Sequence, residues 1–324
     1  MNPSTRRRLL AGATLAAATL GLPVLAQTAS YPNQPIKLVV PYPAGGATDT
    51  LARTIAQKIQ EHWNNPVIVE NKPGAGGTIG NQFVAKAPAD GHTVLLAITA
   101  LIQQPPLMSL TYDPLKDFQP VTRIAISPSV FAVQPNAPVN NLKDFVALVK
   151  ANPGKYSYGS YGAGTSSHIQ GELLNTQGGL DMTHVPFQGA APLVVNMKGG
   201  QLPAAFIDSA TVRPHLASFK ILAVTGTKRM PALPDVPTFA EQGFHSYDPL
   251  GWFGLLMPAG VPKPVLDKFS TEVARALQLP DVRARIEGLG LFVGGETPEE
   301  FAKVMRSDAE IYARIIKQAN IKLN

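Results

Sequence analysis

Short apolar runs alternate with amphipathic stretches along nearly the whole chain after its first 28 residues. Short, mostly apolar runs over 36–40 (IKLVV), 66–70, 93–98, 129–134, 156–160, 202–207 and 221–224 predict strands. Apolar positions at helical spacing predict helices over 48–61, 78–86, 142–152, 166–177, 190–198, 264–277, 280–289 and 298–317. Strand and helix in alternation predict an α/β protein. Some ends are marked outright. Thr297-Pro298-Glu299-Glu300 combines a capping hydroxyl, proline at the first helical position and acids facing the helix dipole. Asn141 is placed to cap the helix from 142, and Pro153-Gly154 stops it. The 30 prolines are dispersed between periodic segments, so they punctuate loops and form neither a low-complexity linker nor a solenoid repeat.

The first 26 residues break this pattern. Arg6-Arg7-Arg8 precede an uncharged Leu/Ala-rich run, and Val24-Leu25-Ala26 ends it with small residues around a cleavage position. Basic, apolar and A-x-A-like parts in that order predict a cleaved secretory signal peptide. The apolar run is short for a membrane span. The arginines fit either a Sec or a twin-arginine signal. Removing 1–26 takes away three arginines and no acid, so the formal charge falls from +6 to +3. No five-residue basic run remains to suggest nucleic-acid binding. No later stretch is apolar enough to span a membrane, so a soluble mature chain is expected. The chain has no cysteine, which removes disulfides, thiolate nucleophiles, thiolate metal ligands and a lipoprotein anchor. A free periplasmic protein of roughly two domains is expected.

Candidate chemistry sits in glycine-rich joints between strand and helix. In PYPAGGATD (41–49), Gly45 and Gly46 can turn main-chain N–H groups into a concavity where the next helix begins. Free first-turn amides and the helix dipole favour an anion there, although a plain tight turn explains the same glycines. A second joint, GSYGAGTSSH (159–168), repeats the arrangement and adds Thr165, Ser166 and Ser167, more hydroxyls than one cap needs. Tyr42 and Tyr161 flank the two loops. A third cluster, NKPGAGGT (71–78), reads more readily as structural turns. No lysine follows the glycines in P-loop register, and 162–167 lacks the third glycine of a dinucleotide fingerprint. A carboxylate suits these uncharged loops better than a polyphosphate. Asp208 ends an apolar run where a ligand or a helix N-cap is equally at home, and His168 falls in the first turn of its helix. No G-x-S-x-G elbow occurs, and the six histidines form no H-E-x-x-H pair. Neither a catalytic residue nor a metal ligand set is therefore expected, and no cofactor.

Taken together, VVPYPAGGATD, VIVENKPGAGGTIG, PADGHTVLLA, YGSYGAGTSSH, HVPFQGAAP, ILAVTGTKR, LPDVPTFAEQGF and WFGLLMPAGVPKPV resemble the tripartite tricarboxylate transporter receptors, the Bug-type periplasmic solute-binding proteins. The resemblance runs from Val39 to Val265, and the TPEEF helix also fits. Lys72 stands where the family usually has arginine, and Phe187 where tyrosine is frequent. The resemblance implies a two-lobed type II periplasmic-binding (Venus-flytrap) fold, each lobe a mixed sheet flanked by helices. It places lobe 1 at 28–126 with 227–324, and lobe 2 at 127–226. It implies a monomer that captures a small mono- or dicarboxylate and delivers it to the membrane subunits of a secondary transporter. A sensor subunit using the same site is the alternative. The ligand residues implied are Tyr42, Ala44, Gly45, Gly46, Asp49 and Thr99 from lobe 1, with Gly164, Thr165, Ser166, His168 and Asp208 from lobe 2. Asp49 is as well suited to orient the first loop as to touch the ligand.

Overall fold

The computed structural model describes residues 31–230, 232–247 and 249–322. The expected signal segment, 1–26, lies outside the described residues. In chain order the elements are β1 (Ile36–Val40), α1 (Ala47–Trp63), β2 (Val67–Asn71), α2 (Thr78–Ala85), β3 (Thr93–Ile98), α3 (Ala100–Gln103) and β4 (Phe118–Ser127). There follow β5 (Ser129–Val133), α4 (Leu142–Lys150), β6 (Ser157–Ser160), α5 (Ser166–Gly178), β7 (Thr183–Pro186), α6 (Ala190–Lys198), β8 (Ala204–Asp208), α7 (Ser209–Val212) and β9 (Lys220–Val224). The chain closes with β10 (Gly251–Pro258), α8 (Lys263–Gln278), α9 (Pro280–Gly288), β11 (Phe292–Val293) and α10 (Pro298–Gln318).

These strands form two mixed sheets flanked by helices. The first has the order β11-β4-β10-β3-β1-β2, the second β7-β6-β8-β5-β9. In the first, β1 lies parallel between β2 and β3, while β10 runs antiparallel to β3 and β4. In the second, β6 is parallel to β7 and β8, and β5 is antiparallel to β8 and β9. Parallel neighbours need crossover helices, which cover both faces and explain the nearly continuous apolar runs of β1, β3 and β8. A crossing between the sheets is a single residue long: β4 ends at Ser127 and β5 begins at Ser129.

Every strand and helix expected from periodicity forms, with ends within two residues of those read from the sequence. The pattern missed β4, β7, β10 and β11. In β4, Pro120, Thr122 and Arg123 interrupt the apolar run, and the pairing with β10 shifts register twice. In β10, GWFGLLMP carries two glycines, which argue against a strand by propensity. Gly254 is required by packing, because a Cβ there would overlap the Phe301 ring of α10.

After β9 the chain does not pass straight to the first sheet. After β9, Thr238 bridges Val224, the Phe239 N–H donates to the Val224 carbonyl, and the Gly226 N–H donates to the Tyr247 carbonyl. Phe239 stacks against Tyr247 at 3.9 Å and against Phe206 of β8 at 5.6 Å. The Tyr247 hydroxyl donates to the Gln170 carbonyl of α5. Residues 225–247 thus remain on the second sheet's layer, and the chain rejoins the first sheet only at Gly251. Among the described residues, no helix is long and apolar enough to cross a membrane.

Candidate functional site

The C-terminal ends of β1, β3, β6 and β8, with the loops that follow them, surround one cleft of about 70 Å³. Its walls are Tyr42, Pro43, Gly46, Ala47, Thr48, Ile98 and Thr99 from the first half of the chain, and Tyr161 and Thr165–Ser167 from the second sheet's layer. Asp208 and Thr211 close one side, Gly189–Ala191 another, and Trp252 and Phe253 of β10 a third, with Ser127 and Ser129 at the crossing.

The three longest helices that begin at this cleft, α1, α5 and α6, have no side-chain cap. The N-caps are Gly46 for α1, Thr165 for α5 and Gly189 for α6. Gly46 and Gly189 have no side chain to give. Thr165 has one, but it is turned away: its Oγ1 donates to the Gly162 carbonyl at 2.7 Å. First-turn amides lack intrahelical acceptors and sit at the positive end of the dipole. The three termini therefore offer main-chain donors to an anion in one small space. Among the described residues lining the cleft there is no lysine, arginine or histidine.

The side chains around this space are held in place by one another. Tyr42 donates its hydroxyl to the Gly76 carbonyl at 3.0 Å, and burial pushes its pKa far up, so it stays neutral. The Tyr161 hydroxyl donates to Asp208 Oδ2 at 2.6 Å and accepts from the Asp208 N–H at 2.7 Å. Burial first, then the Asp208 charge, raises the Tyr161 pKa well above the usual phenol range. Asp208 also accepts from the Thr211 N–H at 2.9 Å and from the Thr211 hydroxyl at 2.7 Å, which makes it the N-cap of α7. Thr99 Oγ1 accepts from the Trp252 N–H at 2.7 Å and so pins β10 beside β3.

Of the residues expected from sequence, Tyr42, Gly46, Thr99, Thr165, Ser166 and Asp208 line the cleft. Ala44, Gly45, Asp49, Gly164 and His168 do not. Ala44 and Gly45 sit on the exposed outer turn of the first loop. Asp49 lies behind that loop. It accepts from the Gly45 N–H at 3.1 Å, from Arg53 Nε at 3.0 Å and from Asn71 Nδ2 at 3.0 Å. Burial works to raise its pKa, but these donors outweigh it and hold the carboxyl below its ordinary value. Asp49 thus shapes the loop from behind. His168 is buried too, with Nδ1 accepting from the Gly164 N–H at 3.3 Å and its ring stacked 4.1 Å from His184. The third glycine cluster serves packing: with φ at 64°, a Cβ on Gly76 would come within 2.7 Å of the Ala163 carbonyl. Phe187, where a hydroxyl is missing, packs into the second sheet's core and does not line the cleft.

Sequence reasoning missed Ser127, Ser129, Gly189–Ala191, Thr211, Trp252 and Phe253. For α6 the local sequence carried little: GAAP starts a helix with no capping hydroxyl but lacks the glycine pairs of the other two loops. No signal existed for Trp252 and Phe253, which reach the cleft only because β10 inserts between β3 and β4.

Residues 51–321 match the model of the tripartite tricarboxylate transporter family receptor. Among solved structures, the periplasmic binding protein BugD superposes with a TM-score of 0.86 at 32% identity, covering 90% of this chain and 99% of that one. Rpa4515 of R. palustris, solved with adipate, gives a TM-score of 0.86 at 31% identity, covering 90% and 99%. MatC (Rpa3494) from Rhodopseudomonas palustris, solved with bound malate, gives 0.83 at 30%, covering 88% and 100%. The chain belongs to the tripartite tricarboxylate transporter receptor family, a family of periplasmic solute-binding proteins.

Proposed function

We propose that this protein captures a small organic carboxylate in the cleft and hands it to the membrane subunits of a tripartite tricarboxylate-type transporter. The observation that carries the reading is the meeting of three uncapped helix N-termini in one small space without a cationic side chain. Main-chain N–H groups and hydroxyls hold a carboxylate without the desolvation penalty of burying a lysine beside it. Similar proteins solved with adipate and malate support the substrate class. The residues in contact are Tyr42, Gly46, Thr99, Thr165 and Ser166, joined by the Ala190 and Ala191 amides. Asp49, His168, Gly164 and Asp208 hold the loops that present them. Asp208 carries a negative charge at the wall, but it is engaged by Tyr161 and Thr211.

The two sheets correspond to two lobes, the second running from 129 to 247. Each contributes a wall, so a ligand touching both stabilises the closed arrangement by its differential affinity. That arrangement is what a membrane partner reads. The mature chain acts in the periplasm after removal of 1–26 and holds its ligand unchanged. A Ser160–His184 contact at 2.6 Å is the arrangement nearest to a nucleophile and base, yet Ser160 is fully buried and absent from the cleft walls.

Differential scanning fluorimetry of purified mature protein with acetate, benzoate, succinate, malate and adipate tests this. At 100-fold excess over Kd, binding adds about 2.7 kcal/mol of stability, a shift of several degrees. A folded protein whose melting temperature none of these acids raises refutes the reading.

A further inference from the structure

Helix α3 starts at the cleft with Thr99 as its N-cap and ends at Gln103, whose side chain is fully buried. Gln103 Nε2 donates to Ser166 Oγ at 3.0 Å, and Ser166 Oγ lies 3.1 Å from Gln103 Oε1. Ser166 is the first residue of α5 and lines the cleft. Helix α3 follows β3 of the first sheet, whereas α5 follows β6 of the second. The amide therefore joins the two layers at the ligand's edge. From the other side Gln103 meets the hydroxyl of Tyr312 on α10, a buried phenol that burial keeps protonated. The neighbouring Gln104 donates to the Gly76 carbonyl at 2.9 Å and packs its Cγ beneath Gly164.

We propose that Gln103 is a positioning residue for ligand binding: it donates to Ser166 Oγ and so turns the Ser166 proton toward the bound carboxylate. This rests on the carboxylate reading above. A serine hydroxyl has one proton to give and two lone pairs to fill. Without ligand, the proton goes to Gln103 Oε1. A carboxylate in the cleft competes for it as a charged acceptor, and charge-assisted hydrogen bonds are about twice as strong as neutral ones. The proton swings into the cleft while Gln103 Nε2 continues to fill a lone pair on Oγ. One amide thus satisfies the serine in both states, so the hydroxyl keeps a partner on release. Because donor and acceptor stand on different layers, the same contact favours the arrangement in which the layers are together. A glutamate at 103 can only accept, so it would retain the Ser166 proton and set a negative charge beside the anion.

The test is calorimetric titration with whichever of succinate, malate, adipate or benzoate raises the wild-type melting temperature most. Gln103→Met keeps the shape and removes the amide, and it is expected to weaken binding about tenfold, as the loss of one hydrogen bond does. Ser166→Ala is expected to weaken it by a similar factor. The double variant binds no worse than Ser166→Ala alone, because Gln103 acts through that hydroxyl. Gln103→Glu binds more weakly than Gln103→Met. If Gln103→Met fails to fold, Gln103→Asn, which keeps the amide but withdraws it from Ser166, must show the tenfold loss. Wild-type affinity in the Met or Asn variant, or losses that multiply in the double variant, overturns the proposal. A wild-type protein that binds none of these acids instead sinks the carboxylate reading itself.

Discussion

Gly171 lies inside α5 against the buried ring of Tyr158, and a Cβ on it would overlap that ring. The ring has nowhere to go, since its hydroxyl donates to Glu172 Oε1 at 2.6 Å and meets the His168 carbonyl at 3.3 Å. Helix propensity favours alanine over glycine by about 1 kcal/mol. Overpacking a rigid site costs about 1–3 kcal/mol, with the upper end expected here. Gly171→Ala should therefore lower stability by about 1–2 kcal/mol in urea titration, and a stabilised variant would contradict this packing. The histidine pair next to it gives a pH dependence. Burial lowers His168 to about 4, and burial together with the nearby His168 charge lowers His184 to about 3. The unfolded chain takes up these protons near pH 6.5, while the folded chain refuses them. Stability is thus complete above about pH 6.5 and falls as pH drops toward 4 and then 3, each histidine contributing at most about 1.4 kcal/mol per unit. Urea midpoints measured from pH 7.5 to 4.5 should fall, and His184→Gln should flatten the slope. Residues of this kind show what a sequence hides. Glycine joints advertise free main-chain donors because those follow from backbone conformation. Whether Asp49 or His168 faces a ligand or props a loop depends on which way a rotamer points, and neighbours remote in sequence set that.

At the scale of elements, two helices remote from the cleft start with local caps: α4 with Asn141, whose side chain accepts from the Asp144 N–H at 2.8 Å, and α10 with a capping box of Thr297 and Glu300. Helices α1, α5 and α6 meet the cleft without such caps. The capped starts were legible, because a cap is a local interaction spanning three residues. Thr297→Ala should destabilise the protein by about 1 kcal/mol in urea titration and leave carboxylate affinity unchanged. A change in affinity would tie α10's first turn to the cleft, which its position does not. The start of α6 was harder to read as functional. Nothing in GAAP resembles the other two loops, and only the parallel pairing of β6 with β7 carries it to the same rim.

For the whole molecule, the cleft depends on strands that return from far along the chain. Trp252 lines it from β10 while its indole N–H donates to Asp308 Oδ2 of α10 at 3.1 Å. Partial burial raises the Asp308 pKa, so this contact ties the cleft wall to a half-buried acid of the last helix. Carboxylate binding should change the intrinsic tryptophan emission, and Trp63→Phe should retain that change. Loss of the signal in Trp63→Phe would place the reporter outside the cleft. Alternating apolar runs, helix caps and paired glycine loops were enough to establish an α/β chain with glycine-rich joints between strand and helix, because each is a property of a few consecutive residues. Strands β4 and β10 were not readable, since Pro120 and the two glycines of β10 make sense only as partners in the centre of a sheet. The membership of 225–247, the rotamers of Asp49 and His168, and the arrival of Gln103 at Ser166 were likewise decided by packing between distant segments, where local propensity has no say.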